Sequence, residues 1–194
     1  MEQLVWMDYR LAVLFAVIVP LVLLVWAFAQ KVDAIQRLLI IYWRVASLLG
    51  ITVYLMIAAV PLSFISAVAA RILIPVSLWF WLDLNEEIED MPSSPLKLLT
   101  TSWRWAISVY MGLGALVQLS SFNCAFTDKL ALLQNPSCRI WLDPPWGYKQ
   151  MFHPNSTEGF LGFLGLAALL FYVACFSWFV LVRLKRQGRS ATGH

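Results

Sequence analysis

Five apolar runs, each about 20 residues long, limit what this chain can fold into more than any other feature. They cover residues 11–29, 38–60, 62–82, 105–120 and 160–182. A helix needs about 20 apolar residues to cross the hydrocarbon core of a bilayer. The runs are apolar on every side and do not alternate with polar residues, which argues against strands. They predict an all-α, polytopic helical membrane protein with about five transmembrane helices.

The composition leaves little for a second, soluble unit. Hydrophobic residues make up 61% of the 194 residues and charged residues 13%, and the mean hydropathy is +0.74. A soluble domain of this length needs more polar surface. We therefore expect a single transmembrane domain over residues 1–194.

The second and third runs are separated by the short stretch AVPLS, residues 59–63. Pro61 can end one helix and begin the next. A tight helical hairpin is the preferred interpretation. A re-entrant pair is the alternative, and it would reduce the count to four full spans.

The distribution of basic residues orients the predicted spans. Segments 30–37, 83–104 and 183–194 carry eight of the fourteen Lys and Arg residues, whereas segments 1–10 and 121–159 carry four. The positive-inside rule then predicts a cytoplasmic C-terminus and an N-terminus on the outer or lumenal side. Because the basic residues lie at chain ends and span edges, they favour lipid headgroups over nucleic acid as partners.

The external loop, residues 121–159, is the one sizeable segment outside the predicted spans. Asp128 to Gln134 has the composition of a short interfacial helix, and four prolines predict an ordered, non-helical cap for the rest. Cys124 and Cys138 share this outer compartment, where disulfides persist, so they are a disulfide candidate. Two reduced thiols remain the alternative.

Arg71 lies deep in the third run, at the tenth residue of the predicted span. Insertion scales put the cost of such a charge at about 2.5–3.5 kcal/mol, so Arg71 should face protein or water. None of the acids lies inside a predicted span, so no carboxylate partner is expected for it. Pro75 frees the main-chain carbonyl of residue 71. Arg71 and Arg44, in the second run, are candidate polar or binding residues within the membrane.

A block of acids follows the third run. Asp83 is expected to be the N-cap of a new helix that has Glu86 at its third position, a pattern typical of helix starts. Arg44 and Arg104 are candidate ion-pair partners of the block. The acids predict a cytoplasmic docking surface, with a carboxylate metal site as the weaker interpretation. The block contains these five residues: Asp83, Glu86, Glu87, Glu89 and Asp90.

The usual catalytic and cofactor motifs are missing from the sequence. It contains no phosphate-binding loop, no dinucleotide-binding glycine turn, no nucleophile elbow and no zinc-protease motif. His153 is the only histidine besides the terminal His194, and no predicted span contains one. We therefore expect no metal, no catalytic residue and no histidine-ligated cofactor. A bound lipid, or a pigment held without histidine, remains compatible with the sequence.

Four stretches carry a resemblance to known proteins: LLIIYWRVASLLGITVYLMI, RILIPVSLWFWLDLNEEIED, SPLKLLTTSWRWA and LVRLKRQGRSA. They resemble an uncharacterised family of integral membrane proteins found in cyanobacteria and in plastid-bearing eukaryotes. The family has no assigned activity and gives no catalytic residues. The resemblance implies a location in the thylakoid or plasma membrane of an oxygenic phototroph, and a role near photosynthetic complexes.

Three functions are compatible with these features. The leading hypothesis is a non-enzymatic membrane subunit or assembly factor that associates with a larger, photosynthetic membrane complex. The alternative is a small carrier or channel-like protein that binds an anion or lipid through Arg71 and Arg44. The third is a metal-dependent membrane enzyme that uses the acids of residues 83–90.

Overall fold

The computed structural model describes residues 2–191, apart from the side chain of Gln187, so residues 1 and 192–194 of the predicted domain lie outside it. The described chain is helical throughout and contains no strand, which confirms the all-α prediction. Nine helices are used below: α1 (Glu2–Gln30), α2 (Asp33–Ile57), α3 (Leu62–Trp79), α4 (Leu82–Asp90), α5 (Pro95–Leu119), α6 (Lys129–Gln134), α7 (Pro136–Arg139), α8 (Asp143–Phe152) and α9 (Glu158–Arg186).

Helix α1 is longer than the predicted first span because it begins at Glu2 and not at residue 11. A π-helical segment, Val13–Ile18, interrupts its regular hydrogen bonding. Two side chains bond to main-chain oxygens in this segment. The Tyr42 hydroxyl donates to Ala16 O at 2.6 Å, and Trp103 Nε1 donates to Phe15 O at 2.8 Å. These contacts join α1 to α2 and to α5.

Helices α1, α2, α3 and α5 form a bundle, and α9 packs at its edge. Helices α2 and α3 pack together most extensively, while α5 packs against α3 and α1. Helix α9 packs against α2. Its buried residues are Leu161, Gly162 and Gly165, all close to its start. The remainder of α9 is therefore at the surface of the described chain.

The link between α2 and α3 is a tight hairpin of four residues, as the sequence indicated. Ala59 has a φ of 52°, in the left-handed region. Across the hairpin, Thr52 Oγ1 donates to Ser66 Oγ at 2.9 Å. This bond and the short link hold the two helices against each other.

The predicted third span, 62–82, is interrupted before its end. Helix α3 runs through Pro75 and stops at Trp79, and α4 begins at Leu82. Phe80 and Trp81 form the break. A helix that ends leaves its last carbonyls without main-chain partners, so this break creates several hydrogen-bond acceptors.

The external loop folds into a helical cap. The short helix at Lys129–Gln134 is confirmed, and Asp128 Oδ1 caps it by accepting from Ala131 N at 2.8 Å. The expectation of a non-helical remainder is wrong, because α7 and α8 are helices that carry prolines in their first turns. Proline is compatible with that position since its missing N–H has no helical partner there.

Within residues 2–191, four helices are long and apolar enough to cross a membrane, which indicates a membrane protein: α1, α2, α3 and α9. Helix α5 is 25 residues long but is not among the four. It carries Lys97 and Arg104 together with several hydroxyl side chains.

Candidate functional site

Three side chains from three helices form a partly buried cluster, called the charge cluster here: Asp8, Arg71 and Tyr110. The Arg71 guanidinium binds both carboxylate oxygens of Asp8, with Nη1 at 3.3 Å from Oδ1 and Nη2 bonded to Oδ2. The Tyr110 hydroxyl lies 2.8 Å from Asp8 Oδ1 and 2.7 Å from its main-chain oxygen. Arg71 is 8% exposed. A bidentate pair of this kind satisfies the buried Arg71 guanidinium and the partly buried Asp8 carboxylate together.

Gly114 makes room for the charge cluster. A Cβ atom at this position would lie 1.7 Å from Arg71 Nη1, so no other residue fits without moving the guanidinium. Gly112 lies on the same helix, and a Cβ atom at this position would have no atom of another helix within 4 Å. Of these two glycines of α5, only Gly114 is in close contact with another helix.

The expectation that Arg71 lacks a carboxylate partner is wrong. It followed from starting the first span at residue 11, which left Asp8 outside the membrane helix. The apolar stretch Leu4-Val5-Trp6-Met7 precedes Asp8 and was the signal for a longer helix. Since α1 begins at Glu2, Asp8 lies on a helical turn that faces α3 and α5.

Arg104 fills the break between α3 and α4. Its Nη2 donates to Leu78 O at 2.8 Å and also bonds Asn85 Oδ1, while its guanidinium lies 4.2 Å from the centre of the Trp79 ring. Asn85 Nδ2 donates to Trp79 O at 3.1 Å. Arg104 is 3% exposed. The predicted pairing of Arg104 with the acidic block is therefore wrong, because an amide and the end of a helix are its partners.

Asp83 is not the N-cap of α4, since Trp81 occupies that position. Its carboxylate instead accepts from the C-terminal segment, from Ala191 N at 2.8 Å and from Ser190 Oγ at 3.1 Å. Arg189 Nε donates to Phe80 O at 2.9 Å. Residues 189–191 therefore pack onto the break and onto Asp83.

The other acids of the block, Glu86, Glu87, Glu89 and Asp90, are exposed on α4. They do not approach the charge cluster's arginine. Arg44, the other arginine predicted as a polar or binding candidate within the membrane, is exposed on α2. The structure therefore does not bring Arg44 and Arg71 together.

The cap holds the other candidate residues. Cys124 and Cys138 are joined by a disulfide and are both buried. His153 Nε2 lies 2.9 Å from the Tyr54 hydroxyl, which connects the end of α8 to α2. Partial burial raises the pKa of the Tyr148 phenol, and the nearby Tyr54 phenol raises it further.

The cap also closes over the α2–α3 hairpin. Trp146 Nε1 donates to Ile57 O at 3.1 Å, at the end of α2, and Trp141 Nε1 donates to Ser121 Oγ at 2.9 Å. A Cβ on Gly147 would lie 2.9 Å from the Trp6 ring, so α8 also contacts the start of α1. The cap, the hairpin and the N-terminal end of α1 thus share one end of the bundle.

In the charge cluster, both carboxylate oxygens of Asp8 accept hydrogen bonds. Asp8 accepts from both Arg71 and Tyr110, and Tyr9, its neighbour, donates its hydroxyl to Met56 Sδ at 3.0 Å. Within residues 2–191, no three His, Cys, Asp or Glu side chains are grouped so that they could hold a metal ion. The arrangement stabilises a packing of helices and presents no activated nucleophile.

A family model described as "Protein of unknown function (DUF3177)" matches residues 2–192. No curated protein and no solved structure matches the chain.

Proposed function

The chain belongs to the DUF3177 family of proteins of unknown function, and we propose from its geometry that it is a non-catalytic membrane subunit or assembly factor. It associates with a larger membrane protein complex. The observation that carries this proposal is the position of α9. Only three of its described residues between Glu158 and Arg183 are buried, whereas ten of the eighteen residues of α3 are buried.

Helix α9 is fixed near its start by close packing. A Cβ on Gly162 would lie 2.4 Å from Ala58 Cβ, and one on Gly165 would lie 3.1 Å from Leu55 Cδ2. Beyond this contact the helix presents large apolar side chains, with Leu170 73% and Phe171 74% exposed. Small residues bring membrane helices into contact, and exposed apolar faces are available to other helices. This supports α9 as the docking surface.

The other two functions receive less support from the site. Arg71 is paired with Asp8, and Arg44 is exposed, so neither offers the unpaired buried cation that an anion carrier would use. The acids of residues 83–90 are exposed or, for Asp83, bonded to the C-terminal segment. A metal-dependent enzyme would need them grouped around one ion.

The finer topology also belongs to this proposal. We infer five spans, with α5 as the fourth, an outer or lumenal N-terminus and a cytoplasmic C-terminus. The contacts of the cap with the start of α1, and of residues 189–191 with Phe80–Asp83, support chain ends at opposite ends of the bundle. A membrane-impermeant maleimide should label Gln3→Cys only from outside and Ser94→Cys only from inside, in a Cys175→Ser background.

The location proposed from the sequence resemblance is the thylakoid or plasma membrane of an oxygenic phototroph, and the partner proposed is a photosynthetic complex. The test is native extraction in mild detergent, followed by size analysis and mass spectrometry of what co-purifies. We expect the chain in an assembly much larger than its own 22.1 kDa. Recovery as a homogeneous, partner-free monomer would contradict the proposal.

Matched variants test the surface itself. Leu170→Ala with Phe171→Ala shortens the exposed side chains of α9, and we expect it to release the partner. Leu113→Ala with Leu116→Ala does the same on α5, where both side chains are also exposed, and should leave the assembly intact. If only the α5 pair releases the partner, the docking surface lies on α5 and not on α9.

A further inference from the structure

Residues 189–191 form a clasp on the break between α3 and α4. Arg189 Nε donates to Phe80 O at 2.9 Å, and the Arg189 guanidinium lies 5.3 Å from the centre of the Phe80 ring. Arg189 O accepts from Leu82 N at 3.2 Å. Gly188 has a φ of 61°, in the left-handed region that favours glycine, and it separates the clasp from α9. The clasp is therefore a short non-helical segment, and such segments open locally at a low cost in free energy.

The Asp83 carboxylate binds the remainder of the clasp. It accepts from Ala191 N, at 3.0 Å to Oδ1 and 2.8 Å to Oδ2, and from Ser190 Oγ at 3.1 Å to Oδ2. The Ser190 side chain is only partly buried in this position. A hydroxyl that donates to a carboxylate thus holds the clasp, and a modification that replaces this donor with an anion would turn the attraction into repulsion.

We propose that Ser190 is a phosphorylation site and that a phosphate there opens the clasp. In the reaction, the Ser190 oxygen attacks the γ-phosphorus of a nucleoside triphosphate bound to a protein kinase. The new O–P bond forms while the bond from the γ-phosphorus to the bridging oxygen breaks. The nucleoside diphosphate leaves, and the hydroxyl proton passes to a base of the kinase. The product carries a charge of about −1.5 to −2 at pH 7 beside Asp83 and lacks the hydrogen that this carboxylate accepted.

The chain before Ser190 is basic, which suits a kinase with an acidic peptide groove. The exposed cations are Arg183, Lys185, Arg186 and Arg189. Kinases select their substrates partly by such charge patterns. Ser93, between α4 and α5, follows the acidic helix α4 instead, so the same enzyme would not favour it. The inference rests on the cytoplasmic C-terminus proposed above, because nucleoside triphosphate and kinase are available on that side.

Opening the clasp changes the charge of the surface around the break. The Arg189 guanidinium leaves Phe80, and the Asp83 carboxylate loses the donors of residues 190 and 191. The other acids of the block are already exposed on α4. The open form therefore presents a more acidic surface at this end of the bundle than the closed form does. This consequence is independent of the docking surface proposed on α9.

The test compares full chains that carry phosphoserine at position 190, introduced during translation, with unmodified chains in detergent micelles. Hydrogen exchange measured by mass spectrometry follows the peptides that contain the Leu82 and Ala191 N–H groups, which are both bonded across the clasp. We expect phosphoserine at position 190 to accelerate exchange in both peptides by about tenfold or more, because hydrogen bonds to a charged group contribute at least that factor.

Two matched chains control for charge and for the lost hydroxyl. Phosphoserine at position 93 adds the same charge at an exposed position between α4 and α5, and it should leave exchange in both peptides unchanged. Ser190→Ala removes one donor but keeps the bonds from Ala191 N, so it should accelerate exchange less than phosphoserine does. Equal acceleration by phosphoserine at positions 93 and 190, or unchanged exchange with phosphoserine at position 190, would overturn the proposal.

Mass spectrometry of the chain from native membranes, prepared with phosphatase inhibitors, tests the modification itself. We expect a phosphate on Ser190, and an unmodified Ser190 in that chain would also overturn the proposal. The exchange experiment uses purified chains and does not depend on the topology. A failure of the clasp is therefore distinguishable from a failure of the proposed cytoplasmic C-terminus, which the maleimide labelling tests separately.

Discussion

Two buried arginines are compensated in different ways. Arg71 lies within α3 and is paired with the carboxylate of Asp8. Arg104 lies on α5, and its guanidinium reaches the break after α3, where it bonds a carbonyl and an amide and lies over an aromatic ring. Inside a helix most main-chain carbonyls already accept a hydrogen bond, so a cation there needs a side-chain partner. At a helix end the last carbonyls are free, and they carry partial negative charge that attracts a cation.

This difference predicts that Arg71 depends on its partner much more than Arg104 does. Removing a carboxylate from a buried ion pair leaves an uncompensated charge, which costs several kcal/mol. Removing one neutral acceptor from a guanidinium that keeps others costs less. Four substitutions test this order, from the largest expected effect to the smallest.

Asp8→Ala should have the largest effect, a loss of about 3–5 kcal/mol in the free energy of unfolding, because Arg71 stays buried without a counter-charge. Unfolding by denaturant in detergent micelles measures it. The matched control is the double variant Asp8→Ala with Arg71→Met, which removes both charges and should recover much of the loss. An equal or larger loss in the double variant would mean that the charges themselves do not couple α1 to α3.

Gly114→Ala should cost about 1–3 kcal/mol, since the new Cβ would displace the Arg71 guanidinium from Asp8. Gly112→Ala is the control on the same helix. It meets no atom and should be neutral or stabilising by up to about 1 kcal/mol, because alanine has the higher helix propensity. Equal destabilisation by both changes would argue that helix bending, and not the arginine, requires the glycine.

Asn85→Ala tests the second arginine and should cost about 1.5 kcal/mol. It removes one acceptor from Arg104 and one donor from Trp79 O, but Leu78 O and the Trp79 ring remain. Thermal unfolding followed by tryptophan fluorescence measures the change. A loss as large as that of Asp8→Ala would contradict the distinction between the two arginines.

Tyr110→Phe should have the smallest effect, about 1 kcal/mol. It removes the hydroxyl that bonds Asp8, while the bidentate pair with Arg71 remains. Combined with Asp8→Ala, the tyrosine change should have little further effect, because its partner carboxylate is already absent. Full additivity of the two changes would show that the hydroxyl acts elsewhere.

The apolar runs were sufficient to predict the helical class and the α2–α3 hairpin. The positions of the charged residues predicted the helix boundaries less well. Asp8 and Arg10 made residues 1–10 look external, although Leu4–Met7 continue the apolar run, and the carboxylate partner of Arg71 was therefore missed. Only a long-range contact, 63 residues apart in the chain, explains why an acid is tolerated there.

The structures of the cap and of the break were also predicted only in part. Asp128 was recognisable as a helix start, because its side chain caps a helix that follows it directly. Pro144 and Pro145 suggested an irregular segment, although proline is compatible with the first turn of a helix. Asp83 had the local pattern of an N-cap, but residues 190–191 at the far end of the chain bind it instead. Local patterns therefore predicted the Asp128 cap, but they missed α8 and the distant partner of Asp83.

The pairing of Asp8 with Arg71 has a consequence for how the protein is made. Asp8 is synthesised 63 residues before its partner. At about 5–20 residues per second, the first helix waits roughly 3–13 seconds before Arg71 is added to the growing chain. During this interval the Asp8 carboxylate has no guanidinium to bind. The ion pair that joins α1 to α3 can therefore form only after the third helix has been made.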